Sequence, residues 1–275
     1  MSEKKEYPIP VEMEPVSTSS GIRTPNAAKK EFLCPLPSEG KLYEGSEGAA
    51  QGSVILRPMT ISEESILAQQ GGDSLSKISA IINACTVSKE YPIDDLLMID
   101  RFAILLALRT RSFGGKYKFP FRCQFCGGQF KTEIDIMEEL HAKVTDPDGA
   151  GEPFQVNFPI SNDLVTFRLL RGKDEMAVAK SVKRFKLQSS DAGDPSNIMR
   201  MSKQILTVNG EELQGVRKDQ YIRNLDSGDS NAFRLAVERA EGGIDTNILI
   251  DCRMCGASNE TSMPFDIEFF RPSSL

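Results

Sequence analysis

Tryptophan is absent from this 275-residue chain, and histidine occurs once, at His141. A Ser-His-Asp or Cys-His arrangement would therefore depend on that single residue, and no nucleophile-elbow pattern accompanies it. Phosphate-cradling loops are missing too. The glycine pairs starting at Gly71, Gly114, Gly127 and Gly242 match neither G-x-x-x-x-G-K-[S/T] nor G-x-G-x-x-G, so the sequence reads as non-enzymatic. No apolar run reaches about 18 residues, which argues against a membrane-spanning helix. The opening Met-Ser-Glu-Lys-Lys-Glu lacks the apolar core of a signal peptide; synthesis in a cytoplasm and no membrane partner are expected. Surplus positive charge is also missing. A net charge of −6 argues against holding nucleic acid by bulk electrostatics. One local exception stands out. Residues 102–132 contain no acidic side chain but include Arg109, Arg111, Lys116, Lys118, Arg122 and Lys131. These cations are read as bordering a protein interface, with a nucleic-acid face as the alternative.

What is present is cysteine at metal-ligand spacing. Phe121-Arg-Cys-Gln-Phe-Cys-Gly-Gly128 and Ile250-Asp-Cys-Arg-Met-Cys-Gly-Ala257 are two Cys-x-x-Cys-Gly runs, each entered from an alternating apolar segment. Two cysteines three apart can aim at one tetrahedral ion when the chain turns tightly, and Gly127 and Gly256 permit such a turn. Cys123, Cys126, Cys252 and Cys255 thus read as the ligands of one zinc ion per chain. Four thiolates leave no open coordination position, so the site is expected to be structural. All of residues 127–251 lie between the pairs, whereas a compact ribbon has roughly 15–20 there. This spacing predicts a zinc ribbon split by an inserted domain. Redox-active pairs are the alternative, but a thioredoxin-like pair starts a helix within a βαβ unit, and these pairs sit between strand-like segments. Cys34 and Cys85 have no partner in sequence and read as small buried apolar residues. His141 reads as a surface residue.

Taken in order, the chain divides into four. Residues 1–32 carry Pro8, Pro10, Pro15 and Pro25 among polar residues and read as an extended arm. There Tyr7, Ile9, Val11 and Met13 alternate in a way that suits docking along a groove or sheet edge, the alternative being a plain disordered tail. Residues 33–145 form a helical subdomain ending in the first zinc hairpin. In it Ser53–Arg57 is a strand, Thr60 and Glu63 have capping-box spacing, helices cover 74–84 and 96–111, and Asp94 and Asp95 open the last of these. Residues 146–245 form the mostly helical insert, with a hairpin over 154–170 and helices over 174–187, 196–208, 217–225 and 230–241. Residues 246–275 complete the second hairpin and end in exposed-looking aromatics. Phe269 and Phe270 read as core or as an anchor into a neighbouring subunit. The fold class is α+β: a helical N-terminal subdomain plus a split zinc ribbon with a mostly helical inserted domain.

Several stretches resemble a known family. Leu36-Pro-Ser-Glu-Gly-Lys-Leu-Tyr43, Ile55-Leu-Arg-Pro-Met-Thr-Ile-Ser-Glu-Glu64, the helix leading into Cys123 and Cys126, and the closing Phe269-Phe-Arg-Pro272 are similar, in this order, to baseplate hub proteins of T-even-like contractile-tail phages. The resemblance covers residues 33–275. It implies a structural component of the tail baseplate, in the hub or inner wedge region, or alternatively a transient hub assembly chaperone. It implies other baseplate and tail proteins as partners, and a path from host cytoplasm to virion tail. The insert, with Lys173-Asp-Glu175 and Val208-Asn-Gly210, is also similar to small tail-assembly chaperones. A homo-oligomer stays open, and no nucleic acid is expected.

Overall fold

The computed structural model describes residues 5–6, 11–12, 31–45, 48–68, 74–87, 91–143, 145–188, 194–265 and 269. Two-residue strands β1 (Lys5–Glu6) and β2 (Val11–Glu12) come first. β3 (Phe32–Pro35) and β4 (Ser53–Leu56) then pair antiparallel, with Phe32 opposite Leu56 and Cys34 opposite Val54. The two-residue period of a strand places these four side chains on one face, and all four are buried. The backbone of β2 extends this sheet along β3 of the chain itself. Of the residues expected to dock, Val11 lies in β2 opposite Leu33, and Tyr7, Ile9 and Met13 lie outside the described residues.

Between β3 and β4 the Pro-Ser-Glu-Gly run turns the chain through positive φ at Glu39 and Gly40. A Cβ on Gly40 would lie 2.4 Å from the Ala50 carbonyl oxygen, so only glycine fits there. α1 (Ile61–Ala68) opens at the expected box: the Thr60 amide and hydroxyl both donate to Glu63 Oε2 at 2.7 Å, and Arg57 holds the same carboxylate. α2 (Ser74–Cys85) follows.

The next helix departs from the sequence pattern. Ile93–Asp95 form a separate 3-10 turn, Leu96 and Leu97 are extended, and α3 (Met98–Phe113) begins only after them. Tertiary hydrogen bonds explain the break. The Leu96 carbonyl accepts from the Gly172 amide at 3.0 Å, and the Leu97 amide donates to the Tyr43 hydroxyl at 2.8 Å. Both groups would otherwise serve the helix ladder. Asp94 consequently does not cap α3 and instead pairs with Arg101 at 3.2 Å.

β5 (Lys116–Arg122) and β6 (Gln129–Asp135) form the first hairpin, in register from Lys116 opposite Asp135 to Arg122 opposite Gln129. Tyr117, Phe119 and Phe121 point inward, while Lys116, Lys118 and Arg122 point to solvent. A short helix, α4 (Ile136–Glu139), leads into β7 (His141–Lys143), where His141 is half-buried. β8 (Phe154–Asn157) and β9 (Leu164–Phe167) are the expected hairpin, followed by α5 (Gly172–Gln188) and α6 (Ser196–Gln204).

The helix predicted over 196–208 stops at Gln204. Residues Ile205–Val208 are a strand, β10, which pairs with β9 and turns through Asn209 and Gly210 into β11 (Glu211–Glu212). Branched Ile205, Thr207 and Val208 favour a pleated surface, and the Thr166 and Thr207 hydroxyls bond across it at 2.7 Å. The resulting sheet runs β11-β10-β9-β8. α7 (Gly215–Arg223) and α8 (Ser227–Glu241) follow, and β12 (Gly243–Asp245) joins β7 and β1 in one sheet. The chain ends in the second hairpin, β13 (Asn247–Asp251) and β14 (Ser258–Ser262).

Two main apolar cores result. The larger draws on β3, β4, α2, α3 and the 154–240 region, so residues from both halves of the chain pack in a common interior. The smaller belongs to the two hairpins and contains Tyr117, Phe119, Phe121, Ile248, Ile250 and Phe269. α3 serves both, with Ile104, Leu105 and Leu108 in the first and Leu106 in the second. A buried network locks α3 in place. Asp100 accepts from the Ser38 amide at 3.0 Å and from the Tyr43 hydroxyl, which itself accepts from Leu97. Replacing Tyr43 with phenylalanine strips a partner from a buried amide and a buried carboxylate at once. Tyr43→Phe is expected to lower stability by about 1–3 kcal/mol, read as a shift in the denaturant midpoint with an unchanged slope.

Candidate metal centre

Each cysteine pair sits at the tip of a hairpin, and the two tips are built alike. In the first, the Cys123 amide donates to the Gly128 carbonyl at 2.9 Å, and Gly127 donates back to Cys123 at 3.0 Å. In the second, Cys252 donates to Ala257 at 2.9 Å, and Gly256 donates to Cys252 at 2.8 Å. Gly127 and Gly256 share a φ of 71°, the left-handed conformation that a side chain disfavours. Amides inside each tip face sulfur: Phe125 N–H donates to Cys123 Sγ and Met254 N–H to Cys252 Sγ, both at 3.4 Å.

The four sulfurs converge. All lie within 4.8 Å of one another, although the pairs are far apart in sequence. Cys123 Sγ is 3.8 Å from Cys255 Sγ, and Cys126 Sγ is 3.7 Å from Cys252 Sγ. A disulfide requires about 2.05 Å. Tetrahedral coordination with metal–sulfur bonds of about 2.3 Å spaces sulfurs roughly 3.8 Å apart. The donor set therefore fits a metal ion. Cys123 and Cys252 are buried, while Cys126 and Cys255 are exposed. His141 is not part of the cluster, and Cys34 and Cys85 are buried elsewhere as free thiols.

Backbone amides tune the thiols. The Cys126 amide, helped by that of Phe125, pulls the Cys123 thiol down to about 6 against the effect of burial. The Cys255 and Met254 amides lower Cys252 in the same way. At Cys255 the Ala257 amide also lowers the pKa, but partial desolvation within the cluster and the three neighbouring sulfurs outweigh it and push the thiol up to about 12. Negative charge thus accumulates until the last thiol resists ionisation, and a bound cation relieves that repulsion.

No sequence motif marks the residue that joins the tips. Asn259, buried on β14, accepts from the Gln124 amide of the other hairpin at 2.9 Å and donates to the Ala257 carbonyl at 2.8 Å. Met254 also crosses over: a Cβ on Gly128 would fall 2.3 Å from its sulfur.

Comparison with known families gives a match to the family model described as T4 bacteriophage base plate protein, over residues 29–271. The chain belongs to that family. No curated protein and no solved structure matches it. Membership makes this a baseplate-related phage protein, with other baseplate and tail proteins as its neighbours and the virion tail as its place.

Two readings of the baseplate chain's surface change with the structure. Arg109 is not a surface cation: it is buried and donates to the carbonyls of Phe269, Gly114 and Lys116. Lys116 and Lys118 pair with Glu133, and Arg111 lies over the Phe32 ring. Arg109 thereby leaves the basic face, while Lys116 and Lys118 stay exposed and share one carboxylate. For Phe269 the core alternative holds, not an exposed aromatic: its ring packs on Tyr117 and Phe265 in the hairpin core, and Phe270 lies outside the described residues. Asn259→Ala removes the bond between the tips while leaving all four thiols. It is expected to weaken metal retention by about 10–100-fold, read by competition with a chelator on the folded protein.

Proposed function

We propose that Cys123, Cys126, Cys252 and Cys255 hold one structural zinc ion, and that the chain is a non-enzymatic component built into the phage tail baseplate, in the hub or inner wedge region. One observation carries the reading: two matching hairpin tips bring four sulfurs within 4.8 Å in a chain of the baseplate family. A tetrahedral set of four thiolates suits zinc or iron. Zinc fits a role that needs no electron transfer, and its closed shell would tie the two hairpins together.

The mechanism is adhesion by a rigid body. The segment 146–245 leaves the first hairpin through β7 and returns through β12, so a clamp at the tips would fix both of its ends. The two described stretches of the arm, residues 5–6 and 11–12, pair with β7 and β3 of the chain itself, and in this reading the remainder of residues 1–32 contacts other baseplate proteins. Nucleic acid is not part of this reading, because the net charge of −6 gives no surplus of cations and Arg109 is buried.

Two measurements test it together: metal analysis of the purified native chain, and detection of its peptides in intact particles. One zinc per chain and presence in the particle are expected. Zinc in a chain absent from finished particles would assign it to transient assembly instead, and a chain without metal would overturn the clamp. Cys252→Ala is expected to lose the zinc and melt at lower temperature; retained stoichiometric zinc with unchanged melting would contradict the assignment.

A further inference from the structure

A groove crosses the face where α5, α6 and α8 meet α2 and α3. Its larger part, about 790 Å³, is walled by Leu75, Met98, Met201, Phe233, Val237 and Glu241, among others. A second part of about 500 Å³ continues along α5 past Val178, Val182 and Leu187. Leu75, Glu175 and Arg200 border both parts. Glu175 and Arg200 form a two-pronged ion pair at 2.8 and 3.2 Å, so the wall between the parts is internally satisfied.

The ends of the groove are charged oppositely. At one end are Glu238 and Glu241, and at the other Lys183 and Lys186. Lys186 and Asp194 are 3.9 Å apart, as are Lys143 and Glu238, so these exposed pairs are weak. The carboxylate of Glu241 differs from the others, because it has no hydrogen-bond or ion-pair partner among the described residues. Arg234, also in the wall, donates to Asn231 instead. Burial raises the Glu241 carboxyl to about 7, with Glu175 and Asp100 adding to the effect. A half-buried carboxylate on the wall of an apolar cleft favours a cation that arrives with apolar surface attached, as a lysine or arginine stem does.

We propose that this groove docks an amphipathic segment of a neighbouring baseplate protein, with a lysine or arginine end over Glu241, an apolar face along Leu75, Val178 and Val182, and an acidic end towards Lys183 and Lys186. The proposal rests on the baseplate reading for its partner. Two adjoining clefts suit a length of chain better than a small molecule, and the opposed end charges set the direction in which that chain lies.

The premise is testable on the free protein. The half-buried Glu241 carboxyl ionises at about 7 in the folded chain but near the ordinary glutamate value when unfolded, so its cost to stability begins at the lower value, is complete above the higher one, and is absent from glutamine. Glu241→Gln is therefore expected to melt higher than the parent at about pH 8, by a margin that shrinks as the pH falls and closes at about pH 4; lower melting at the higher pH would reveal a cation already in place and overturn the proposal.

The docking itself is tested by carboxyl footprinting and zero-length carbodiimide cross-linking, on the free chain and on the particles or assembly intermediates that contain it. Protection of Glu238 and Glu241 on assembly, or a cross-link from either to a lysine of a different protein, supports the proposal. Equal labelling in both states overturns it, and so does a cross-link only to a lysine of the same chain. Lys186→Glu, on an exposed side chain, is expected to reduce incorporation into assemblies by about tenfold without changing melting; undiminished incorporation would count against the proposed direction. Whether the chain is found in particles at all reads the baseplate placement separately.

Discussion

Three buried charges on one helix set the terms for the rest of the molecule. Asp100, Arg101 and Arg109 all lie on α3 and are each no more than 3% exposed. Removing a charge from water costs several kcal/mol unless hydrogen-bonding partners replace the solvent. Those partners come from widely separated segments. Asp100 takes Ser38 and Tyr43 from the turn between β3 and β4. Arg101 takes Ser79 from α2 and the Ile93 carbonyl. Arg109 takes Phe269 near the C-terminus and the chain entering β5. Each charge fixes a different part of the chain against the same helix, and any misplacement leaves a buried charge unpaired.

The sulfur cluster inherits its geometry from this arrangement. Tyr117, Phe119 and Phe121 face the hairpin core at every second position of β5, and Ile248 and Ile250 do the same on β13. A slip of one residue in either strand would turn these side chains to solvent, so register is strongly held. Because each cysteine pair begins directly after its strand, register also determines where the sulfurs point. Asn259 then ties one tip to the other at the backbone of Gln124.

Local features were legible in the sequence, and features that depend on distant contacts were not. The tips could be read because Cys-x-x-Cys-Gly specifies its own turn, and the flanking strands because alternation specifies a face. The capping box at Thr60 and Glu63 likewise involves only neighbours. The break at Leu96 and Leu97 could not be read, since it exists to bond Gly172 and Tyr43. Nor could β10, whose helix-compatible pattern is overridden by pairing with β9. Arg109 looked like a surface cation because nothing local shows that Phe269 returns to cover it. The motifs behind the family resemblance now have physical content. Ser38, Gly40 and Tyr43 form the turn that meets Asp100, and Arg57 and Thr60 hold Glu63. The groove beside Glu241 was invisible because its walls come from five separate helices.

The long separation of the cysteine pairs is less of a burden than it first looks. For a flexible loop, each doubling of length adds only about 0.6 kcal/mol to the closure cost, and here the loop is not flexible. Its two ends are delivered by elements packed on a common interior: α3 leads into β5 and Cys123, and α8 leads through β12 into β13 and Cys252. Ile244 of β12 touches both cores, so the return strand is seated before it reaches the second tip. Packing of the larger core therefore brings the cysteines to the right neighbourhood, and the hairpin core sets their final spacing. A metal ion bound there would meet preorganised sulfurs, and its binding energy would go into joining two hairpin tips rather than into gathering a long disordered chain.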